Sequence, residues 1–118
     1  MILITSVVIL SVIVGCGSFS GTLTIINNSG EILEEVVLIY NQLNQINQEI
    51  QIGTLEDGDN YVHQINDDIG EASISLTFID EQGNRHTEII VGYVHKGISS
   101  SQIKIIKIGQ QFDFIGEN

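Results

Sequence analysis

The chain has 118 residues, 15 acidic side chains against 4 basic ones, and a net charge of −11. That length builds one domain, and that charge excludes nucleic acid and anionic lipid headgroups as electrostatic partners, because both are gripped by clustered Lys and Arg. Hydrophobic residues make up 42%, which sets the chain apart from disordered acidic tails, and its single Cys excludes an internal disulfide.

Residues 1–14 read MILITSVVILSVIV, uncharged and interrupted only by Thr5, Ser6 and Ser11. A bilayer span takes about 20 apolar residues. This run ends sooner, at Gly15-Cys16, and Gly17-Ser18-Phe19-Ser20-Gly21 follows, so its length fits the apolar region of a secretory signal. Ile13-Val14-Gly15-Cys16 resembles the bacterial lipobox, in which an aliphatic, a small or aliphatic and a small residue precede Cys. The resemblance implies diacylglycerol on the Cys16 thiol, cleavage just before it, and a lipoprotein anchored on the extracytoplasmic face of the cell membrane. On this reading residues 1–15 are the signal peptide and 16–21 the lipidated Cys with a short tether. The segment departs from such signals in having no Lys or Arg before Arg85. The rival readings are a buried Cys on a first hydrophobic strand or helix, and a plain membrane anchor.

From Thr22 onward the apolar period is 2. Ala72, Ile74, Leu76 and Phe78 alternate with Ser73, Ser75 and Thr77, the pattern of a strand with one buried face. Turn residues recur at Asn27-Asn28-Ser29-Gly30, Glu56-Asp57-Gly58-Asp59-Asn60, Asp67-Asp68-Ile69-Gly70 and Asp80-Glu81-Gln82-Gly83-Asn84, the last closing a hairpin. The expected strands are 22–27, 34–42, 46–54, 59–66, 71–80, 84–95 and 101–109. The fold class is therefore all-β: a single small sandwich of about seven antiparallel strands over 22–109, after an N-terminal apolar signal segment and before a C-terminal tail at 110–118. Residues 31–41 also place Ile32, Val36 and Ile39 at helical spacing, but Val36-Val37-Leu38-Ile39-Tyr40 is β-branched and aromatic, which favours strand. Residues 46–54, with Ile46, Ile50 and Ile52 among Asn, Gln and Glu, fit an edge strand.

The Asn27–Gly30 turn, the β segment ending in Tyr40 and the Leu55-Glu56-Asp57-Gly58-Asp59 turn together resemble small immunoglobulin-like modules of bacterial envelope proteins. That resemblance implies a sandwich and carries no function with it. The chain lacks the Cys…Trp…Cys pattern of antibody domains.

His63, His86 and His95 have no zinc-type spacing, and no Gly-x-Ser-x-Gly elbow or phosphate cradle occurs. Structural or surface histidines, no enzyme activity and no cofactor are the expectation. Asp57 and Asp59 are the residues a calcium reading would use, against the simpler reading of an acidic turn. Glu31, Glu34 and Glu35 read as a solvated patch. Tyr93, His95 and Lys96 are the binding-surface candidates, against a Tyr93 packed in the core beside Ile89 and Val91. The expected function is non-catalytic binding of a protein or cationic peptide by an acidic module. The alternative is an accessory subunit that joins another protein through an edge strand.

Overall fold

The computed structural model describes residues 21–43, 45–66, 71–95 and 97–117. Cys16 with the apolar segment expected to be its signal, Lys96 and the expected 67–70 turn lie outside the described residues.

Eight strands follow one another: β1 (Thr22–Asn27), β2 (Leu33–Gln42), β3 (Gln48–Leu55), β4 (Asn60–Gln64), β5 (Ala72–Ile79), β6 (Arg85–Val94), β7 (Ser101–Ile108) and β8 (Gln111–Glu117). The chain is all-β over the described residues, and 31–41 resolves in favour of strand. Two features differ from the sequence expectation. The segment read as a tail is a full strand, β8, and the first pairing of β1 with β7 is parallel rather than antiparallel.

The strands form two four-stranded sheets, in the orders β4-β1-β7-β8 and β3-β2-β5-β6. As expected, β3 is an edge. The order is not that of the immunoglobulin constant domain, in which the first, second, fifth and fourth strands share one sheet. Here β1 and β4 join β7 and β8 instead. What the chain shares with that architecture is two layers and a central β2–β5 pair.

One apolar core lies between the sheets. Leu23 and Ile25 of β1, Ile103 and Ile105 of β7 and Phe112 of β8 meet Val36, Leu38 and Tyr40 of β2 and Ile74, Leu76 and Phe78 of β5. The period of 2 produces this arrangement, because alternate side chains of each strand share one face. Asn27, fully buried at the end of β1, ties the first turn together. Its side-chain amide donates to the carbonyls of Glu31 (2.8 Å) and Leu55 (2.9 Å), and its Oδ1 accepts from Ser29 N–H and Oγ.

Two backbone details shape the sheets. Glu35 has φ 50, a left-handed conformation that L side chains rarely adopt, and it sits at the register shifts of β2 against β3 and β5. Gly21, the last residue of the expected tether, is instead held at the domain. Its N–H donates to Ile98 O at 2.9 Å, its carbonyl accepts from Ile65 N–H, and a Cβ there would come within 2.4 Å of the Ser99–Ser100 backbone.

Candidate functional site

The residues proposed from sequence do not form one site. Tyr93 is 55% exposed rather than packed in the core, and its ring stacks on that of His95 at 5.8 Å and 21°. Two register shifts interrupt the pairing of β6 with β5, at Ser75/Ile74 and at Ile74/Ala72. Each inserts an extra residue in β6, so Val91 and Val94 both pair with core-facing residues of β5, Ile74 and Ala72, while Ile89 pairs with Ser75 on the outer face and Tyr93 is exposed. Lys96, the third member of that group, lies outside the described residues.

Asp57 and Asp59 are turn acceptors. Asp57 Oδ1 accepts Gly30 N–H at 2.9 Å and Asp59 Oδ2 accepts Glu56 N–H at 2.9 Å, which binds the 27–31 and 55–60 loops to each other. Among the described residues no group of three His, Cys, Asp or Glu could hold a metal ion. The Glu31, Glu34, Glu35 patch is only partly solvated. Glu31, in the loop between β1 and β2 with a side chain 13% exposed, pairs with Lys107 of β7, whereas Glu34 and Glu35 are exposed.

His63 faces inward from β4. Its Nε2 lies 2.6 Å from the hydroxyl of fully buried Tyr40, which also accepts Asn66 N–H at 3.0 Å. With its hydroxyl oxygen accepting from Asn66, Tyr40 has its O–H free to donate to His63 in the tautomer whose Nε2 carries no proton. Burial holds the His63 pKa below the ordinary imidazole value and pushes Tyr40 above the ordinary phenol value, although the Asn66 N–H partly offsets the latter. Both groups are therefore uncharged near neutrality, as a bridge between two layers requires.

The more developed feature is a seam between the facing edges of β6 and β8. His86, Thr87 and Glu88 line one side; Ile108, Gln111, Phe112 and Phe114 line the other. Its floor is aromatic: His86 stacks on Phe78 at 5.2 Å and lies 4.6 Å from Phe112, while Phe78 meets Phe112 at 5.3 Å and Phe114 at 6.0 Å. Lys107 Nζ lies 5.2 Å from the Phe112 ring centre. The β5–β6 turn fixes His86 in place. Asp80 Oδ1 accepts the N–H groups of Gln82 and Asn84 at 2.9 Å each, and Oδ2 takes His86 Nε2 at 2.8 Å. Burial works to raise the Asp80 pKa, but these hydrogen bonds and the nearby His86 outweigh it and hold the carboxyl below the ordinary range.

Sequence reasoning missed this seam because it treated 110–118 as a tail. A signal was there: Phe112 and Phe114 alternate with Gln111 and Asp113 directly after Ile108-Gly109, a turn followed by period 2. What the arrangement offers is a binding surface, namely an aromatic floor, two strand edges and a rim of carboxylates at Glu88 and Asp113.

The described chain thus defines an all-β protein of two four-stranded sheets around a common core. Among solved structures it is similar to the NMR structure of a protein from Eubacterium rectale, at 16% sequence identity and a TM-score of 0.54, over 86% of this chain and 93% of that one. The likeness concerns the fold. No family model and no curated protein matches the chain.

Proposed function

We propose that the chain is a bacterial lipoprotein, anchored through diacylglycerol on Cys16 at the extracytoplasmic face of the membrane, whose sandwich-type β module binds a partner without catalysis. The observation that carries the reading is the order of the N-terminal segment: an uncharged apolar run too short to span, then Ile13-Val14-Gly15-Cys16, then a short Gly/Ser stretch. Gly21 supports it from the other side. The domain begins where the chain is pinned between Ile98 and Ile65, so only the residues after Cys16 and before Gly21 separate lipid from fold. A module so close to the membrane acts on what lies at the cell surface.

The partner is a protein or peptide of positive charge. The net charge of −11 draws cations by long-range attraction. Arg85 and Lys107 are already held by Glu35 and Glu31. A metal or cofactor has no part in this reading.

The test is Cys16→Ser in cells. Each buried acyl CH₂ contributes ~0.8 kcal/mol, so two chains hold a protein where one holds it only marginally. The wild-type protein stays in the membrane fraction through a high-salt wash, and the variant is left as uncut precursor or released. Equal behaviour of the two in fractionation and processing contradicts the reading.

A further inference from the structure

The four sheet edges are unequally protected against an added strand. β3 carries Gly53 at φ 97 and has register shifts against β2, β6 has two against β5, and β4 is only five residues long. Bulges and short length are ordinary ways of blunting an edge. β8 has neither. Its seven residues pair with β7 in continuous register, from Ile108↔Gln111 to Gln102↔Glu117.

The turn sets which backbone groups of β8 are open. Gly109, at φ 64, and Gln110 form a two-residue connection of the type that has Gly at its first position. The residues closing such a turn, Ile108 and Gln111, are a hydrogen-bonded pair, and the pattern then alternates along the ladder. The N–H and C=O groups of Gln111, Asp113 and Ile115 therefore point to β7, and those of Phe112, Phe114 and Gly116 point away from it, along the edge that borders the seam.

We propose that this free edge takes up an extended, cationic segment of a partner protein as an added strand lying in the seam between β8 and β6. Main-chain hydrogen bonds to Phe112, Phe114 and Gly116 supply the grip, and alternate side chains read the site. One face of the incoming strand meets the aromatic floor of His86, Phe112 and Phe114, so it is apolar. The rim carboxylates Glu88 and Asp113 have no ion-pair partner among the described residues, so they select Lys or Arg on the guest. A second copy of this chain fits poorly: its own β8, Gln-Phe-Asp-Phe-Ile-Gly-Glu, brings no cation, and each copy carries a net charge of −11. The inference rests on the binding-module reading and names the surface that does the binding.

The experiment titrates the full-length protein, in nonionic detergent micelles at low salt, with the synthetic peptide acetyl-VKVKVKVK-amide, and follows amide hydrogen exchange by NMR. The peptide is expected to slow exchange at Phe112, Phe114 and Gly116 by about tenfold or more, while Ile50 and Ile52 on β3 stay unchanged. The double variant Glu88→Gln with Asp113→Asn should weaken binding by about fivefold or more. Gly116→Pro, which removes one edge-facing N–H at a site where a Cβ meets only Ile103 Cδ1 at 3.5 Å, should weaken it with the rest of the spectrum intact. No binding, binding with unchanged exchange at those three amides, or a dimer in sedimentation without peptide would each overturn the proposal. Protection at another surface removes this edge and leaves the binding module standing. Loss of the Cys16 anchor in cells removes the lipoprotein reading and leaves the edge.

Discussion

Replacing Asp80 by Ala probes the turn that delivers His86 to the seam. The Asp80 side chain is 3% exposed and accepts three hydrogen bonds, from Gln82 N–H, Asn84 N–H and His86 Nε2. Gln82 and Asn84 are exposed, so their N–H groups return to water in the variant. Each lost bond then costs about 1 kcal/mol, for a total of about 3 kcal/mol. Asp80→Asn keeps a side-chain oxygen for the two N–H groups and should lose about half as much. Urea unfolding at pH 7, followed by far-UV circular dichroism, measures both. The pH dependence gives a second reading. Because the folded Asp80 pKa lies below its unfolded value, its contribution is complete above the unfolded value of about 3.9 and is lost as pH falls through the folded one. The stability gap between wild type and Asp80→Asn should therefore be flat from pH 7 to about 4 and narrow below that. A loss under about 0.5 kcal/mol for Asp80→Ala, or a gap that fails to narrow, would refute the reasoning.

Tyr40→Phe removes the hydroxyl shared by His63 and Asn66 and should cost about 1–2 kcal/mol at pH 7.5, read by the same unfolding assay. The His63 pKa is lowered on folding, so wild-type stability should be complete above about pH 6.5 and fall as pH drops through the folded value, which NMR titration of His63 locates. Glu35→Gly should leave stability unchanged or raise it by up to about 1 kcal/mol, because φ 50 suits Gly and the Arg85 pair it loses is exposed. Glu35→Val should lower it by about 1–2 kcal/mol.

The alternation of Ala72, Ile74, Leu76 and Phe78 made β5 legible because the core-facing side of a strand recurs with a period of 2, although Ser75 and Thr77 on its other face, expected to be wet, are buried as well in this central strand. The polar Gln/Asn run at 46–54 likewise marked β3 as an edge, where the sheet order places it. The facing of β6 was harder to read, for the opposite reason. Bulges interrupt the period without leaving a mark in residue type, and the two in β6 turn Val91 inward between Ile89 and Tyr93, which are both exposed. β8 escaped notice because it follows a two-residue turn at the chain's end, where a short alternating segment is easily taken for a tail. The pairing of β1 with β7, 78 residues apart at Leu23 and Ser101, is a matter of topology that no local pattern encodes. The acidity was legible from composition, but the seam was not. Its aromatic floor assembles from β5, β6 and β8, and only the fold brings Phe78, His86 and Phe112 together.

The central claim is that Cys16 carries lipid and tethers a binding module to the membrane, and the mass of the mature protein tests it most directly. Protein extracted from membranes by detergent and measured intact should begin at Cys16 and be heavier than the 16–118 polypeptide by a diacylglyceryl group, with or without an added N-acyl chain. The extra mass should be absent from Cys16→Ser. A mature chain that retains residues 1–15, or one that begins elsewhere and carries no lipid, would contradict the account.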